Sequence, residues 1–300
     1  MTNKFFTPYG LHKPPLKYVL QWKLASVFKK KREKNKDDDF RLIVRELEAK
    51  DLDKKEDFIV WLGHATFLIQ LSGIRILTDP VFGSVPLTPR LAKFPIDIEH
   101  LKPDVICISH GHYDHLDIKS LNTLDIYSKE IKIIMPSKLS TYLKKGANVT
   151  ELGWYEETSY RGIKFTVLPA SHWHRRGVFD FNASLWCSFL IESEGKSIFF
   201  AGDTAMDKHF DEIINQGYKV DIALMPIGAY LPQSVMKESH MNPQEALKGA
   251  EILGAKKMIP YHYGTFNLSD EPIGEPHSWI TLLSKTSDIS IEVLDVGEIL

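Results

Sequence analysis

Three histidines and two carboxylates lie within residues 110–117 of this 300-residue chain, directly after an apolar run at 105–108. Histidine and carboxylate are ligand types that divalent transition metals prefer, and zinc is the most frequent occupant of such sites. The pair His110 and His112 is followed at once by a second pair, Asp114 and His115. Two ligand pairs at this spacing suit two neighbouring ions better than one. The sequence therefore favours a metal site over a solvated histidine-rich turn.

Three further candidate ligands lie far from this cluster in sequence. His172, Asp203 and His262 each follow closely after a short apolar run that is typical of a buried strand. In open α/β sheets, ligands gather in the crevice at the carboxyl ends of the strands. We therefore expect these loops to meet the 110–115 cluster at one edge of the fold.

The number of ligands predicts two ions. The candidate metal ligands are His110, His112, Asp114, His115, His172, Asp203 and His262. The first two histidines and His172 would hold one ion, the remaining side chains the other, and Asp203 would bridge them. Each ion then keeps an open position for a shared water, as catalytic zinc sites do. The expected cofactor is two zinc ions, and iron or manganese could occupy the same ligands.

The elements that must position these residues begin at residue 58. The predicted strands are 58–62, 66–71, 74–78, 105–108, 131–135, 163–168, 184–191, 197–200, 222–225, 257–260 and 289–294. Ser72 and Gly73 predict a hairpin between two of them. Helices are expected near 117–126 and from Asn242, where Glu245 completes a capping box. Strands interleaved with helices and hairpins predict an α/β fold with mixed sheets.

Residues 1–57 differ from the rest and form a predicted N-terminal helical and basic extension, with 58–300 as the main domain. Apolar residues recur at helical spacing from Leu16 to Phe28, and a lysine-rich run follows them. A basic amphipathic helix at 16–36 could lie on a membrane surface, and a helix docked on the domain is the alternative. Residues 41–50 predict another short helix, and the proline-rich residues 80–103 predict a long irregular loop.

Composition limits the partners. A net charge of −2 and the absence of a basic domain argue against a nucleic-acid partner. Cys107 and Cys187 lie in apolar runs and are expected to be buried thiols, as in a reducing compartment. No apolar run reaches eighteen residues and no secretion signal is recognised, which predicts a cytoplasmic protein, peripheral at the inner membrane face if residues 16–36 bind lipid. The sequence does not indicate an oligomeric state.

The segment 110–115, together with His172, Asp203 and His262, resembles the ligand pattern of the metallo-β-lactamase superfamily. A closer resemblance is to the N-acyl phosphatidylethanolamine-hydrolysing phospholipase D family and its bacterial relatives. The blocks that carry it are 61–66, 77–82, 169–173, 201–204, 226–230, 240–246 and 262–266. The resemblance implies a metallo-β-lactamase-type αβ/βα four-layer sandwich, in which two mixed β-sheets lie between helices. It also implies phosphodiester hydrolysis by a hydroxide that bridges the ions.

Two residues receive direct parts in the expected reaction. Asp114 is assigned a catalytic part besides its place among the ligands, and His240 matches a family histidine that lies near the substrate. His240 would bind the phosphate or assist the leaving group, and a loop residue before the helix at Asn242 is the alternative. Asp79 would orient a ligand histidine or serve as a turn carboxylate. His64 is expected to be a packed structural histidine.

The expected function is metal-dependent hydrolysis, of a phospholipid or a lipid-like phosphodiester. The alternative within enzymes is a lactonase or ester hydrolase of a small phosphorylated metabolite. A non-catalytic peripheral membrane protein with structural metals is the alternative of another class. Arg175 and Arg176 could meet a phosphate beside His174, or lie with it in a solvated turn. Trp173, Tyr230, Tyr263 and Phe266 could line an acyl channel.

Overall fold

The computed structural model describes residues 4–6, 8–9, 36–126 and 130–300. Within these ranges the strands form two sheets of six and seven strands. The first sheet contains β1 (Phe58–Trp61), β2 (Phe67–Leu71), β3 (Ile74–Thr78), β4 (Val105–Cys107), β5 (Lys132–Pro136) and β6 (Asn148–Leu152). The second contains β7 (Glu157–Tyr160), β8 (Ile163–Leu168), β9 (Ser188–Ser193), β10 (Lys196–Phe200), β11 (Ile222–Pro226), β12 (Lys257–Tyr261) and β13 (Ser290–Ile291).

Both sheets are mixed, and each joins an antiparallel part to a parallel part. In the first sheet the order is β1-β2-β3-β4-β5-β6, antiparallel through β3 and parallel from β3 to β6. In the second the order is β13-β12-β11-β10-β9-β8-β7, parallel from β13 to β10 and antiparallel beyond. Ser72 and Gly73 form the tight β2–β3 turn, both with positive φ, as predicted.

Six α-helices lie within the described residues. They are α1 (Ala49–Leu52), α2 (Ile118–Thr123), α3 (His209–Asn215), α4 (Gln233–Met236), α5 (Pro243–Ile252) and α6 (Glu275–Leu283), with short 3-10 turns at Lys36–Asp38, Ile98–His100 and Leu139–Tyr142. The Asp117 side chain caps α2. Asn242 and Glu245 form the predicted capping box at the start of α5, and Pro243 occupies its first turn.

Alternating side chains divide the core into layers. Ile59 and Trp61 of β1 point into the core between the two sheets, while Phe58 and Val60 point to the other face, toward Leu121 of α2. On the far side, α3 and α5 pack against the second sheet. The arrangement is the predicted four-layer sandwich of two mixed sheets between helices.

Some element predictions were wrong. Residues 41–48 are not helical, because their backbone instead bonds to distant segments, with Arg45 N donating to Val296 O and Leu47 N to Pro95 O. The strand predicted at 289–294 is confined to Ser290–Ile291. The polar strands β6 and β7 and the helices α3 and α6 were not predicted.

Residues 36–57 of the predicted extension pack along the domain, and α1 buries Leu52 against the first sheet. The domain boundary after residue 57 stays a prediction. Residues 10–35, which hold nearly all of the predicted basic helix at 16–36, lie outside the described residues. Among the described helices, none is long and apolar enough to cross a membrane. Cys107 and Cys187 are buried free thiols, as expected.

Candidate metal centre

All seven predicted ligands meet at one edge of the sandwich. The cluster at 110–115 follows β4, His172 follows β8, Asp203 follows β10 and His262 follows β12. Gly202 permits this close approach, because it has a φ of 61° and an added Cβ would lie 2.8 Å from both Cys187 O and Ser109 Cβ. The ends of strands from both sheets therefore supply one site.

The first donor group consists of three ring nitrogens and a carboxylate. The Nδ1 atom of His112 lies 2.9 Å from His110 Nε2 and 3.1 Å from His172 Nε2. Asp203 Oδ2 lies 3.9 Å from the Nε2 atoms of both His110 and His172. These four side chains converge on one point, which is the geometry of a metal-binding group.

The second donor group contains Asp114, His115 and His262, again beside Asp203. Asp114 Oδ2 is 3.7 Å from the Nε2 atoms of both histidines. Asp203 faces the same two nitrogens at 3.2 Å for His115 and 3.1 Å for His262. The Asp203 carboxylate thus lies between the two donor groups, as a bridging ligand would.

The hydrogen bonds of the donor histidines leave lone pairs directed into the site. His172 Nδ1 donates to the carbonyl of Ser239, 3.0 Å away, and His115 Nδ1 donates to Asp79 Oδ2 at 2.7 Å. A neutral imidazole with hydrogen on Nδ1 carries its lone pair on Nε2. In this neutral form both Nε2 atoms present an electron pair to the site. Burial opposes a charge on His115, but Asp203 and Asp114 hold its pKa well above its usual range, so there a proton competes with a metal ion.

His110 is fixed in the same tautomer through a serine. Ser109 Oγ donates to Asp79 Oδ2 at 2.5 Å, so its oxygen accepts from His110 Nδ1 at 2.9 Å. The backbone amide of Ser109 donates to the other oxygen of Asp79. Buried Asp79 therefore orients His115 directly and His110 through Ser109, which matches the orienting function expected for it.

Buried polar atoms that lack hydrogen-bond partners indicate whether these residues fit metal ions. Among the described residues, His115 Nε2, His262 Nε2 and Asp203 Oδ1 are buried and lack a hydrogen bond. Unpaired buried polar atoms are costly, and here they face one another across a few ångströms. The donor set of nitrogen and carboxylate oxygen atoms fits divalent ions such as zinc.

The electrostatics favour the ligating forms of most of the donors. Burial lowers the pKa of His112 to about 3, and it also holds the pKa values of His110 and His172 well below their usual range. Burial opposes the charge of Asp203, but His115 and His262 outweigh it and hold the carboxyl pKa well below its ordinary value. Burial likewise opposes a charge on His262, while Asp203 and Asp114 raise its pKa to about 9. A proton on His262 therefore competes with a metal ion.

His64 has a closer connection to the site than the sequence predicted. It is buried, as expected, but its Nε2 donates to Asp114 Oδ2 at 3.0 Å. Its backbone is held at a φ of 53° by Thr265 Oγ1, which accepts from His64 N, and by the Trp61 indole, which donates to His64 O. The only sequence signal was its place in the 61–66 block, between a glycine and an alanine.

A cavity of about 400 Å³ opens above the two donor groups. Its floor includes His112, Asp114, Asp203 and His262. Its walls are mainly apolar, and its lining residues outside the floor are Val85, Pro86, Thr88, Tyr113, Trp173, Arg175, Phe181, Ala229, Val235, Met236, Ser239, His240 and Leu268. A substrate with a charged end and an apolar body would match this distribution.

His240 lines this cavity at the edge of the metal-binding groups. Its Nδ1 atom lies 3.8 Å from Asp203 Oδ2, and its ring packs edge-on against His172. Burial lowers the pKa of His240 to about 4, so the ring is neutral near pH 7. A neutral imidazole can still donate one hydrogen bond to a ligand in the cavity.

The two arginines beside His172 separate in the structure. Arg175 lines the cavity, whereas the guanidinium of Arg176 donates to the carbonyls of Gly111 and Leu116 and stacks on Tyr113. His174 is buried and bonded to Tyr142 rather than exposed in a turn. Of the four aromatic residues expected along an acyl channel, Trp173 lines the cavity. Tyr230, Tyr263 and Phe266 are buried and are not among its lining residues.

Comparison with known proteins places these features in a family. Residues 74–263 match the model of the beta-lactamase superfamily domain. The Igni18 metallo hydrolase of Ignicoccus hospitalis superposes with a TM-score of 0.62 at 21% identity, covering 81% of this chain and 97% of its own. This likeness shows the fold.

Closer similarity is found by sequence. The N-acyl-phosphatidylethanolamine-hydrolyzing phospholipase D 1 of Caenorhabditis elegans is 33% identical over 286 residues, which are 87% of this chain and 80% of the relative. The mitochondrial N-acyl-phosphatidylethanolamine-hydrolyzing phospholipase D of Saccharomyces cerevisiae is 37% identical over 240 residues, 75% of this chain, and the match spans about half (51%) of that relative. The chain therefore belongs to the metallo-β-lactamase superfamily and, within it, to the family that includes the N-acyl-phosphatidylethanolamine-hydrolyzing phospholipases D.

Proposed function

We propose that this metal-dependent hydrolase is a phosphodiesterase that acts on a phospholipid or a lipid-like phosphodiester with two zinc ions bound. The observation that carries the proposal is the position of the two donor groups at the floor of an apolar-walled cavity. The names of the two phospholipase relatives support a lipid substrate. Iron or manganese would satisfy the same donors.

The seven ligand residues hold the ions in this proposal, and His64 and Asp79 orient them. Bound ions would supply a water activated for hydrolysis and would stabilise charge on the phosphate oxygens. Asp114 keeps its part as ligand and catalytic carboxylate, because it lines the cavity that would hold the substrate. The neutral His240 ring would donate a hydrogen bond to a phosphate or leaving-group oxygen, and Arg175 would add positive charge at the rim.

The decisive experiment is a substrate screen with the purified full chain. Metal analysis after mild purification should find close to two ions per chain. The loaded protein should hydrolyse soluble phosphodiesters and phospholipids dispersed in micelles, and not lactones or carboxylic esters. Preference for a lactone would instead support the alternative ester hydrolase, and a stable, metal-free protein would refute the metal-centred proposal.

A matched pair of variants tests the bridging position. Asp203→Asn removes one charged oxygen from between the donor groups and should abolish hydrolysis with the fold retained. Asp211→Asn makes the same change at an exposed position on α3 and should leave the rate unchanged. Full activity of Asp203→Asn would contradict the proposal, while loss of metal and activity together would support it. Structural metals in a non-catalytic protein would leave both variants inactive against every substrate.

Peripheral membrane contact through residues 16–36 remains part of the proposal. Removal of residues 1–36 should weaken binding to vesicles if this segment lies in the interface. Unchanged vesicle binding would leave docking on the domain as its function. The proposed location of the protein at the inner membrane face depends on the same vesicle-binding measurement.

A further inference from the structure

Two tight turns beside the cavity expose apolar side chains. In the first turn, Val85 and Thr88 exchange backbone hydrogen bonds of 3.1 and 3.0 Å, and both line the cavity. Leu87 lies at the tip between them and is fully exposed, at 105% of its reference area. The turn thus places a leucine in solvent next to the cavity mouth.

The backbone at Leu87 makes this exposure more unusual. Pro86 and Leu87 are the two central residues of the turn, and Leu87 has a φ of 63°. A turn with positive φ at its second central residue is normally built with glycine or asparagine, because a larger side chain is strained there. Leucine therefore has neither a conformational nor a packing reason to occupy this tip, and an external contact would supply one.

The second turn is formed by residues 177–180. Val178 and Phe179 are 72% and 92% exposed at its tip. The Asp180 carboxylate accepts from the backbone amides of Gly177 and Arg176 and from the Tyr142 hydroxyl, so hydrogen bonds hold the turn in place. Like the first turn, it is flanked by residues that line the cavity.

We propose that Leu87, Val178 and Phe179, the apolar tips, enter the interfacial layer of a lipid bilayer and seat the cavity mouth on it. The surroundings of the tips favour a bilayer with anionic lipid, because Arg175 and exposed Lys4 lie beside the second turn, Lys4 above the ring of Phe181. Two separate convex tips offer far less than the roughly 800 Å² per partner of a stable protein interface.

The inference rests on the proposed lipid substrate. A lipid with long chains leaves a bilayer only at a cost that grows with every methylene group. An enzyme whose cavity takes such a substrate therefore works best when the cavity opens onto the bilayer itself. Two turn tips, each flanked by residues that line the cavity, would hold it in that orientation.

Site-specific labelling tests the insertion directly. Both native cysteines are buried, so Val178→Cys provides a single reactive thiol for an environment-sensitive fluorophore. With vesicles of equal parts phosphatidylcholine and phosphatidylglycerol, emission should shift to the blue and rise. Leu282→Cys, at a position on α6 that is 64% exposed and does not line the cavity, should show neither change. An unshifted Val178→Cys spectrum on vesicles that bind the protein would overturn the inference.

A second experiment measures binding. The triple variant Leu87→Ser, Val178→Ser, Phe179→Ser should sediment with these vesicles at least about tenfold less than the parent chain. The Leu282→Ser control should match the parent. Equal binding of the triple variant and the parent chain to vesicles would overturn the inference. A change in the oligomeric state of the triple variant in the absence of vesicles would also overturn it, because the tips would then form a contact between copies of the chain.

The two proposals fail in distinguishable ways. Hydrolysis of a water-soluble diester requires the metal centre and not the apolar tips, so the triple variant should keep it. Active protein whose labelled tip does not respond to vesicles removes the docking surface alone. A clear response to vesicles by a protein inactive on every phosphodiester removes the proposed function and leaves a lipid-binding surface.

Discussion

A single buried carboxylate, Asp79, determines the tautomers of two of the candidate ligand histidines. His115 donates to it directly and His110 through Ser109. Because an asparagine would direct N–H groups at one of these donors, Asp79→Asn should lower zinc affinity about 10- to 100-fold with the fold retained. Competition with a chromophoric chelator measures this affinity. Ser109→Ala keeps the bond between Asp79 and His115, so its zinc affinity should fall less than that of Asp79→Asn. An unchanged zinc affinity in Asp79→Asn would contradict the orienting function.

His64 should act on one ion and not on the other. It donates to Asp114 in the second donor group, and no bond of it to the first group is present among the described residues. His64→Ala should therefore weaken the second equivalent of zinc about tenfold and leave the first unchanged. Stepwise titration separates the two equivalents. His64→Gln shares the unfavourable φ of the alanine variant but keeps a donor, so partial recovery is expected; equal loss at both sites would indicate general destabilisation.

A buried histidine outside the metal centre makes stability depend on pH. Burial lowers the pKa of His209 to about 3, whereas the unfolded chain binds a proton near pH 6.5. Below that value the unfolded state gains a proton that the native state does not, so stability falls as the pH falls. His209 should contribute a loss of about 2 kcal/mol between about pH 7 and pH 5. Urea unfolding at both pH values should show a smaller loss in His209→Gln, and equal losses would contradict the assignment.

The long loop at 80–103 is held in place by one arginine, Arg90. The partly buried guanidinium of Arg90 donates to the carbonyls of Val81, Ala92 and Leu62 at 2.6–2.8 Å. Arg90→Met would leave three carbonyls without this partner and should lower the free energy of unfolding by about 3 kcal/mol or more. Chemical denaturation measures the change. Lys93→Met, at an exposed position in the same loop, should have no measurable effect.

The sequence predicted elements where the local signal and the tertiary contacts agree. The Asn242 capping box and the hairpin at Ser72 were both recognisable, because their geometry depends on the residues themselves. The strands β6 and β7 were missed because they are short, polar and partly exposed near the sheet edges. Residues 41–48 were wrongly predicted as helical, since their partners near residues 95 and 296 are distant in sequence.

Local sequence signals and tertiary contacts also differ in what they predict about the candidate site. Ligand types and their positions after strands were sufficient to group the seven donor residues, which the structure brings together. The contact of His64 with Asp114, by contrast, depends on two loops 50 residues apart meeting at a left-handed backbone position. No local pattern at His64 specifies that meeting, so a packed histidine and a ligand-orienting histidine look alike in sequence.

The candidate metal centre joins the two sheets. The 110–115 cluster extends from the first sheet, while His172, Asp203 and His262 extend from the second. The donor set therefore exists only when the sheets are packed, and ions that bind it stabilise the native state by mass action. Zinc at about 100 times its dissociation constant should raise the free energy of unfolding by about 2.7 kcal/mol per site.

Thermal unfolding of chelator-treated and zinc-loaded protein measures this stabilisation as a rise in Tm. Asp203→Asn should show a much smaller rise, because its side chain lies between both donor groups. Arg90→Met is the control, because it should be destabilised while every candidate ligand is intact. It should therefore show the full rise in Tm on loading with zinc. An equal increment in Asp203→Asn would show that zinc stabilises the protein elsewhere. Loss of the increment in Arg90→Met would instead show that it depends on general stability, and not on the junction of the two sheets.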